Sequence, residues 1–495
     1  MSTLEIDTPA HRHPLDNAIS GRFSLSLPMK IGLSLVFFFL SGWAVYGGAN
    51  YAGMTFFVVS AAVLGGYMAM NIGANDVANN VAAAVGSGAL TVGGAIILAM
   101  IFETAGALIA GGDVVSTISK GIIDPSLMPD AKTFGLAMGF ALLSAALWLN
   151  LATWIGAPVS TTHSIVGGVA GVGVASAGLS AVNWGVMTKI IASWFISPIL
   201  GGLIAALFLM LMNRTIFNRK DMLAASRYWV PVFVGIMAGA FTMYLSVKGL
   251  RHIWNPEPWM VLVLGAAAFV TVVMLMRPMV TRAAQKMKNQ RSSINRLFNI
   301  PLVFAAALLS FAHGANDVAN AIGPVSAIVD AASTGEISSK VGIPLWVMLI
   351  GAVGIALGLA LFGSKLIRTV GKQLTTLDQS RAFCVALSAA ITVIAASAAG
   401  LPVSSTHTAI GAIFGVGFYR EWITNSNRRA SARQQTKTAM SAKGLLAGQP
   451  LGLRPRRLVR RREFLSILAA WFVTVPSAAI LASLMFFVTN AITGG

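Results

Sequence analysis

The sequence predicts an all-α polytopic membrane protein made of two inverted-topology repeats, with broken helices and re-entrant hairpins. Three observations carry that fold class. First, 56% of the 495 residues are hydrophobic and only 10% are charged, against about 25% charged in soluble domains. Second, two polar phrases occur twice. Gly73-Ala74-Asn75-Asp76-Val77-Ala78-Asn79-Asn80 returns as Gly314-Ala315-Asn316-Asp317-Val318-Ala319-Asn320-Ala321, and Gly156-Ala157-Pro158-Val159-Ser160-Thr161-Thr162-His163 returns as Gly400-Leu401-Pro402-Val403-Ser404-Ser405-Thr406-His407. The offsets are 241 residues (73 to 314) and 244 residues (156 to 400), so one ancestral unit has been copied. Third, Lys and Arg are concentrated in a few loops between apolar runs, where they set the orientation of membrane helices.

Taken in order, residues 1–30 are a polar leader containing Glu5, Asp7 and Asp16. A secretory signal wants a short basic start, so the leader is expected to be a loosely ordered cytoplasmic tail. An extra transmembrane helix follows at 31–48. The first repeat, 53–212, holds apolar runs at 53–80, 91–111, 133–155, 156–178 and 187–212. Residues 213–300 link the repeats through helices at 228–247 and 257–276 and a basic loop. The second repeat, 301–490, holds runs at 301–322, 344–363, 381–399, 400–418 and 464–490, with a basic cytoplasmic loop at 419–463. Most of these runs approach or exceed the ~18 apolar residues needed to cross ~30 Å of hydrocarbon.

Charge fixes the sides. Segment 277–296 carries Arg277, Arg282, Lys286, Lys288, Arg291 and Arg296 with no acid, and 428–462 carries eleven Lys or Arg with no acid. Arg214, Arg219 and Lys220 mark a third basic loop, and Lys365, Arg368 and Lys372 a fourth. All four are assigned to the cytoplasm. Counting spans from these anchors starts the first repeat outside and the second inside, which is the inverted arrangement of many secondary transporters. Segments 133–178 and 381–418 each begin and end on one side. They are two full spans or hairpins turning within the membrane, and the Pro-Val-Ser turn favours the hairpin.

Pro at the start of a helix has no N–H to lose, and the following Ser and Thr cap the helix while adding hydroxyl donors. The free N–H groups and dipole of such an end favour an anion. Two ends facing each other across the repeat interface would hold a tetrahedral oxyanion with six hydroxyls, Ser160, Thr161, Thr162, Ser404, Ser405 and Thr406. Asn75, Asp76 and Asn79, mirrored by Asn316, Asp317 and Asn320, lie within one helical turn of each other. A carboxylate at the bilayer centre costs ~2.5–3.5 kcal/mol on insertion scales, so it is expected to have a function. These six residues supply the carboxylate and amide oxygens that a hard cation such as sodium requires. A proton on each Asp is the other option; the flanking Asn residues, which cannot carry a proton, favour sodium. Together the two copies point to a secondary transporter that carries an oxyanion with a cation.

Other classes are excluded or set lower. Cys384 is the one cysteine, so no intrachain disulfide and no cysteine metal cluster can form. The +19 net charge is not a nucleic-acid footprint, because the cations are gathered in the loops. Those loops either touch anionic lipid or set topology alone. His163, His407 and His313 with nearby Ser and Asp suggest a hydrolase, but no Gly-x-Ser-x-Gly elbow is present. An intramembrane phosphatase therefore ranks last, behind a sulfate or other oxyanion permease. No cofactor is called for beyond the cotransported ion, and a homo-oligomer stays open.

The repeated Gly-Ala-Asn-Asp-Val-Ala-Asn and Pro-Val-Ser-Ser/Thr-Thr-His words resemble those of the inorganic phosphate transporter (Pit) family, over roughly 53–418 plus the last helix. Phe102-Glu103-Thr104-Ala105-Gly106 and Thr117-Ile118-Ser119-Lys120-Gly121-Ile122-Ile123-Asp124 are similar to its sodium-dependent branch, and Trp194-Phe195-Ile196-Ser197-Pro198 and Trp471-Phe472-Val473-Thr474-Val475-Pro476 fit its late-helix pattern. The resemblance implies uptake of phosphate coupled to sodium or protons, and the leader, which lacks the long Ser-rich, acid-poor look of an organelle transit peptide, favours a bacterial cytoplasmic membrane. Asp76 and Asp317 would then handle the cation, and the hairpin hydroxyls the phosphate. Glu103 is a third candidate cation ligand or a gate, or a carboxylate paired with a nearby hydroxyl or Lys. It has no acidic counterpart in the second copy, where Gly351 is expected to stand.

Overall fold

A computed structural model of the chain describes residues 25–46, 51, 53–155, 159–249, 254–335, 342–373, 377–442 and 461–493. Among them no strand forms, and the one extended pairing is an isolated bridge between Ile123 and Val182. Ten helices among the described residues are long and apolar enough to cross a membrane. Most of the tail expected at 1–30 lies outside the described residues.

The extra helix, α1 (Leu27–Trp43), opens with Pro in its first turn, where no backbone N–H is lost. The first repeat begins with α2 (Thr55–Asn75) and α3 (Val77–Gly86), one span broken at Asp76. It continues through α4 (Val92–Ala110), the short α5 (Gly112–Ser116), a wide turn at Thr117–Gly121, the hairpin arms α6 (Ala131–Ile155) and α7 (Thr161–Ala177), and α8 (Trp184–Met212). Two linking helices, α9 (Met222–Tyr244) and α10 (Pro258–Gln285), pack mainly on each other. A short α11 (Arg291–Leu297) then leads into the second repeat. There α12 (Asn299–Thr334), α13 (Leu345–Gly358), α14 (Ser364–Gln373), the arms α15 (Gln379–Ala398) and α16 (Ser405–Ala442), and α17 (Arg461–Thr493) repeat the order.

Three boundaries depart from the sequence reading. Helix α12 runs on from residue 322 through Pro324 to Thr334 without a break. A buried proline forfeits one backbone bond, and neighbouring helices re-satisfy the freed group. Its counterpart does break at Asp76, so the two copies differ at this point. Helix α16 continues to Ala442, well into the loop expected at 419–463. No proline or glycine interrupts residues 419–442, and the Ala, Arg and Gln in them favour helix.

The repeats are interlocked rather than side by side. Helix α4 of the first lies along α12 of the second, and α13 of the second lies along α2 of the first. The late helices exchange in the same way, α8 against α16 and α17 against α7. Glycines permit these approaches. A methyl on Gly73 would fall 1.9 Å from the Ile355 carbonyl oxygen, and one on Gly314 would fall 2.1 Å from that of Glu103. Because Gly73 and Gly314 are equivalent, so are Ile355 and Glu103. The position matching Glu103 is therefore Ile355, not the Gly351 expected from sequence spacing.

Helix α12 is the axis of the molecule: 89% of its most apolar window is buried, against 17% for α10. Leu262, Val263, Val270, Met274 and Leu275 of α10 are exposed, as suits a lipid-facing surface.

Candidate functional site

The two hairpin tips meet at the middle of the long helices. Asp317 is eighteen residues, ~27 Å, along α12 from Asn299, with a similar length beyond it. Both hairpins reach this level, because Thr161 and Ser405 contact the two aspartates there. Both tips therefore lie level with the middle of α12. Residues 156–158 of the first tip lie outside the described residues.

Each tip is capped as its sequence suggests. Ser160 Oγ accepts from the His163 N–H at 3.2 Å, and Ser404 Oγ accepts from the His407 N–H at 3.2 Å. The rings of His163 and His407 lie 4.8 Å apart, so the two helix N-termini converge. Trp194 stacks 3.9 Å from His163 and donates from Nε1 to the Pro402 carbonyl at 3.1 Å, tying α8 to the opposite tip.

The carboxylates and hydroxyls are bonded to each other. Thr161 donates to Asp76 Oδ2 at 2.7 Å, Thr406 donates to Asp76 Oδ1 at 3.3 Å, and Ser405 donates to Asp317 Oδ2 at 3.2 Å. Thr162 donates to the Val403 carbonyl at 3.2 Å. The outer asparagines reach across: Asn79 donates to Thr406 at 2.9 Å, and Asn320 donates to Thr162 at 3.1 Å and Thr161 at 3.2 Å. Each repeat thus grips the other's hydroxyls.

Asn75 and Asn316 stand somewhat apart. Asn75 donates to Thr153 at 2.7 Å and Asn316 to Ser397 at 2.9 Å, matching positions on the first arms. Asn316 also donates to the Leu401 carbonyl and accepts from the Val403 N–H, each at 3.2 Å. Both ends of its amide are therefore used to hold the hairpin.

Glu103 is paired with neither a hydroxyl nor a Lys. Its Oε2 lies 2.6 Å from His313 Nδ1, and its Oε1 accepts from Asn80 Nδ2 at 2.7 Å. His313 Nε2 in turn lies 2.8 Å from Asp317 Oδ2, off the line of a hydrogen bond. Sequence reading missed Asn80 and named His313 only in setting the hydrolase aside, whereas it sits mid-helix in α12 against Glu103. A signal was available: Asn80, Glu103 and His313 stand where the other copy has Ala321, Ile355 and Ile72. These three polar departures from the repeat form one chain to Asp317.

One oxygen or nitrogen from each of Asp76, His313 and Asp317 lies within 4.8 Å of the others. Asp317 Oδ1, Asn320 Oδ1 and Asn80 Oδ1 are buried acceptors with no hydrogen-bond donor. Buried acceptors without donors are rare, and here they fit a hard cation, which binds oxygen. Beside them, two converging helix N-termini and several hydroxyls can hold an oxyanion. No Lys or Arg contributes among these contacts.

Above the site, Lys120 Nζ meets Asp330 Oδ2 at 2.6 Å and Lys248 Nζ meets Asp113 Oδ2 at 2.7 Å. Thr117 donates to the Gly400 carbonyl at 2.7 Å, beside the second tip.

Comparison with known proteins agrees with these features. A family model described as "Phosphate transporter family" matches residues 72–482. A Helicobacter pylori (strain J99) protein described as "Putative phosphate permease" is 45% identical over 92% of this chain and 94% of its own. A Pyrococcus abyssi protein similarly described is 37% identical over 86% of this chain and 96% of its own. A solved structure described as "The sodium-dependent phosphate transporter" superposes with a TM-score of 0.76 at 34% identity, covering 88% of this chain and 99% of that one.

Proposed function

The chain belongs to the phosphate transporter family, and from that membership we propose that it imports inorganic phosphate by symport with a cation, sodium rather than a proton, through alternating access. It is a multi-pass membrane protein that carries phosphate, and it is not an enzyme. The finer assignments rest on how the site is wired.

One observation supports the coupling most directly: the hydroxyls suited to phosphate donate to the carboxylates suited to a cation. A hydroxyl has a single proton to give. While Thr161, Thr406 and Ser405 donate to Asp76 and Asp317, they cannot donate to phosphate. A sodium ion on those carboxylates competes for their lone pairs and releases the hydroxyls, which turn to the anion. The same ion offsets the anion's charge in a site without Lys or Arg. Phosphate and cation therefore bind better together than apart, which is the thermodynamic content of symport.

In this reading Ser160, Thr161, Thr162, Ser404, Ser405 and Thr406 cradle phosphate. Asp76, Asp317, Asn79 and Asn320 hold the cation. Asn75 and Asn316 anchor the hairpins. Glu103 and Asn80 orient His313, which faces Asp317. The likeness to a transporter described as sodium-dependent supports sodium, as do the donor-free oxygens of Asp317, Asn320 and Asn80. The interlocked repeats supply two similar half-sites, as alternating access requires.

The test is accumulation of radiolabelled phosphate in proteoliposomes given an inward sodium gradient and no proton gradient. Accumulation that sulfate does not match is expected. Uptake driven only by protons would overturn the choice of ion, and equal competition by sulfate would overturn the choice of anion.

A further inference from the structure

Helix α12 leaves the basic loop at 277–296 and ends, past the hydroxyl and carboxylate site, on the opposite face. On that side α5 and the wide turn Thr117–Gly121 pack against it. A methyl on Gly323 would fall 2.8 Å from the Ile118 side chain, so the turn touches α12 six residues, ~9 Å, beyond Asp317. Val114, Val115, Ile118 and Ser119 are buried. The same segment reaches the second hairpin, where Thr117 donates to the Gly400 carbonyl at 2.7 Å. Gly400 has a φ of +68°, and a methyl there would fall 3.5 Å from both the Asp113 carbonyl oxygen and Thr117 Oγ1. The second tip therefore lies directly under residues 113–117.

Two ion pairs pin this segment at its ends. Asp113 Oδ2 meets Lys248 Nζ at 2.7 Å, with side chains 20% and 16% exposed, and Lys248 stands in a second wide turn, Leu245–Gly249, that follows α9. Lys120 Nζ meets Asp330 Oδ2, near the end of α12, at 2.6 Å, with side chains 6% and 13% exposed. Exposed ion pairs contribute little, but a pair this shielded leaves a costly lone charge when one partner is removed. Both lysines lie in wide turns, which are uncommon and recur at functional sites. Helix α5 has only five residues, too few to be stable by itself, so its position depends on these side chains.

We propose that α5 and the turn after it form a gate on the face opposite the basic loops, held shut by the Asp113–Lys248 and Lys120–Asp330 pairs and opened when they part. The proposal rests on the transport reading above. Phosphate approaching from that face meets this segment before it meets Ser404, Ser405 and Thr406. Lifting the segment breaks the Thr117–Gly400 bond and uncovers the second tip. While the pairs are made, the segment shields the cradle from that side, and alternating access needs such a barrier on each face in turn.

The test uses the full chain in proteoliposomes with the basic loops facing the lumen. Cys384→Ala removes the one native cysteine, and Leu401→Cys, beside Gly400 and partly buried, places a thiol under the segment. A membrane-impermeant maleimide is added outside, without sodium or phosphate, and the labelling rate is measured. Labelling of this parent should be slow. Lys120→Gln and Asp330→Asn should each speed it about tenfold, the effect of one lost charge-assisted bond. Combining them should add little, because both break the same pair. Asp113→Asn, at the more exposed pair, should act in the same direction, and it keeps the test open if a change at Lys120 prevents folding. The charge-swapped Lys120→Asp with Asp330→Lys should return labelling to within about threefold of the parent. Lys132→Gln, an exposed lysine at the start of α6, should leave the rate unchanged. Fast labelling of the parent would overturn the gate. So would variants that lower the melting temperature without speeding labelling, since the pairs would then only brace the fold. Labelling requires no transport, so a lack of phosphate uptake by the unaltered protein would overturn the transport reading instead.

Discussion

Replacing Thr161 by Val removes one hydroxyl from the proposed cradle and leaves its volume nearly unchanged. Thr161 donates to Asp76 at 2.7 Å and accepts from Asn320 at 3.2 Å. Neither partner is stranded by the change, since Asp76 keeps Thr406 at 3.3 Å and Asn320 keeps Thr162 at 3.1 Å. Folding should therefore survive. A charged ligand that loses one hydrogen bond forfeits ~1.5–3 kcal/mol, which is roughly one to two decades in apparent phosphate affinity. Sodium should respond in the opposite sense or not at all, because the Asp76 carboxylate is relieved of a competing donor. Thr161→Ser restores the hydroxyl and should return phosphate affinity to within about threefold. The assay is the concentration dependence of phosphate uptake in proteoliposomes, first at saturating sodium and then with sodium varied at saturating phosphate. If Thr161→Val leaves phosphate affinity unchanged and weakens only the response to sodium, the assignment of hydroxyl to anion and carboxylate to cation is refuted.

The repeat symmetry extends the expectation to Ser405→Ala, which should cost a comparable one to two decades in the same assay. Asp76→Asn and Asp317→Asn should each abolish gradient-driven accumulation; concentrative uptake by either variant would remove that carboxylate from the coupling scheme. His313→Leu leaves Glu103 buried with Asn80 as its remaining partner, and breaking a buried pair in this way costs ~3–5 kcal/mol; a thermal-melt scan in detergent should show a lower Tm, with partial recovery on adding Glu103→Leu. Gly314→Ala should prevent folding because its methyl would fall 2.1 Å from a backbone oxygen of α4, whereas Gly139→Ala, with open space around it, should be neutral by size-exclusion and melting profiles.

The duplicated words in the sequence marked residues that the structure brings together. Thr161, Ser405, Asp76, Asp317, Asn79 and Asn320 all reach one place, because a repeated polar phrase inside apolar runs has few other reasons to exist. Less legible was anything that depends on contacts between the copies. Asn316 reads as a cation ligand by spacing, yet the second hairpin bends back and takes both ends of its amide, a contact 81 to 87 residues distant in sequence. The counterpart of Glu103 was misplaced by four residues, from Ile355 to Gly351, because no motif marks the register between α4 and α13. The continuation of α12 through Pro324 was hidden for a related reason: local rules end a helix near proline, and only burial among other helices reverses them. Differences between copies were as informative as agreements, since Asn80, Glu103 and His313 all break the repeat and all belong to one network.

The exchange of α4 with α12 and of α13 with α2 bears on how the chain is made. Asp76 enters the bilayer 241 residues before Asp317 (76 to 317), and at ~5–20 residues per second that is an interval of roughly 10–50 s. Throughout it, α2 and α4 lack the partners they will finally pack against, and an ionisable group sits at membrane depth. The first half is therefore a client for whatever factors attend insertion, and it matures only when the second half arrives. Since α9 and α10 pack mainly on each other, a break in the chain between the halves should be tolerated. Two separately translated pieces ought to assemble in one membrane, each rescuing the other from degradation.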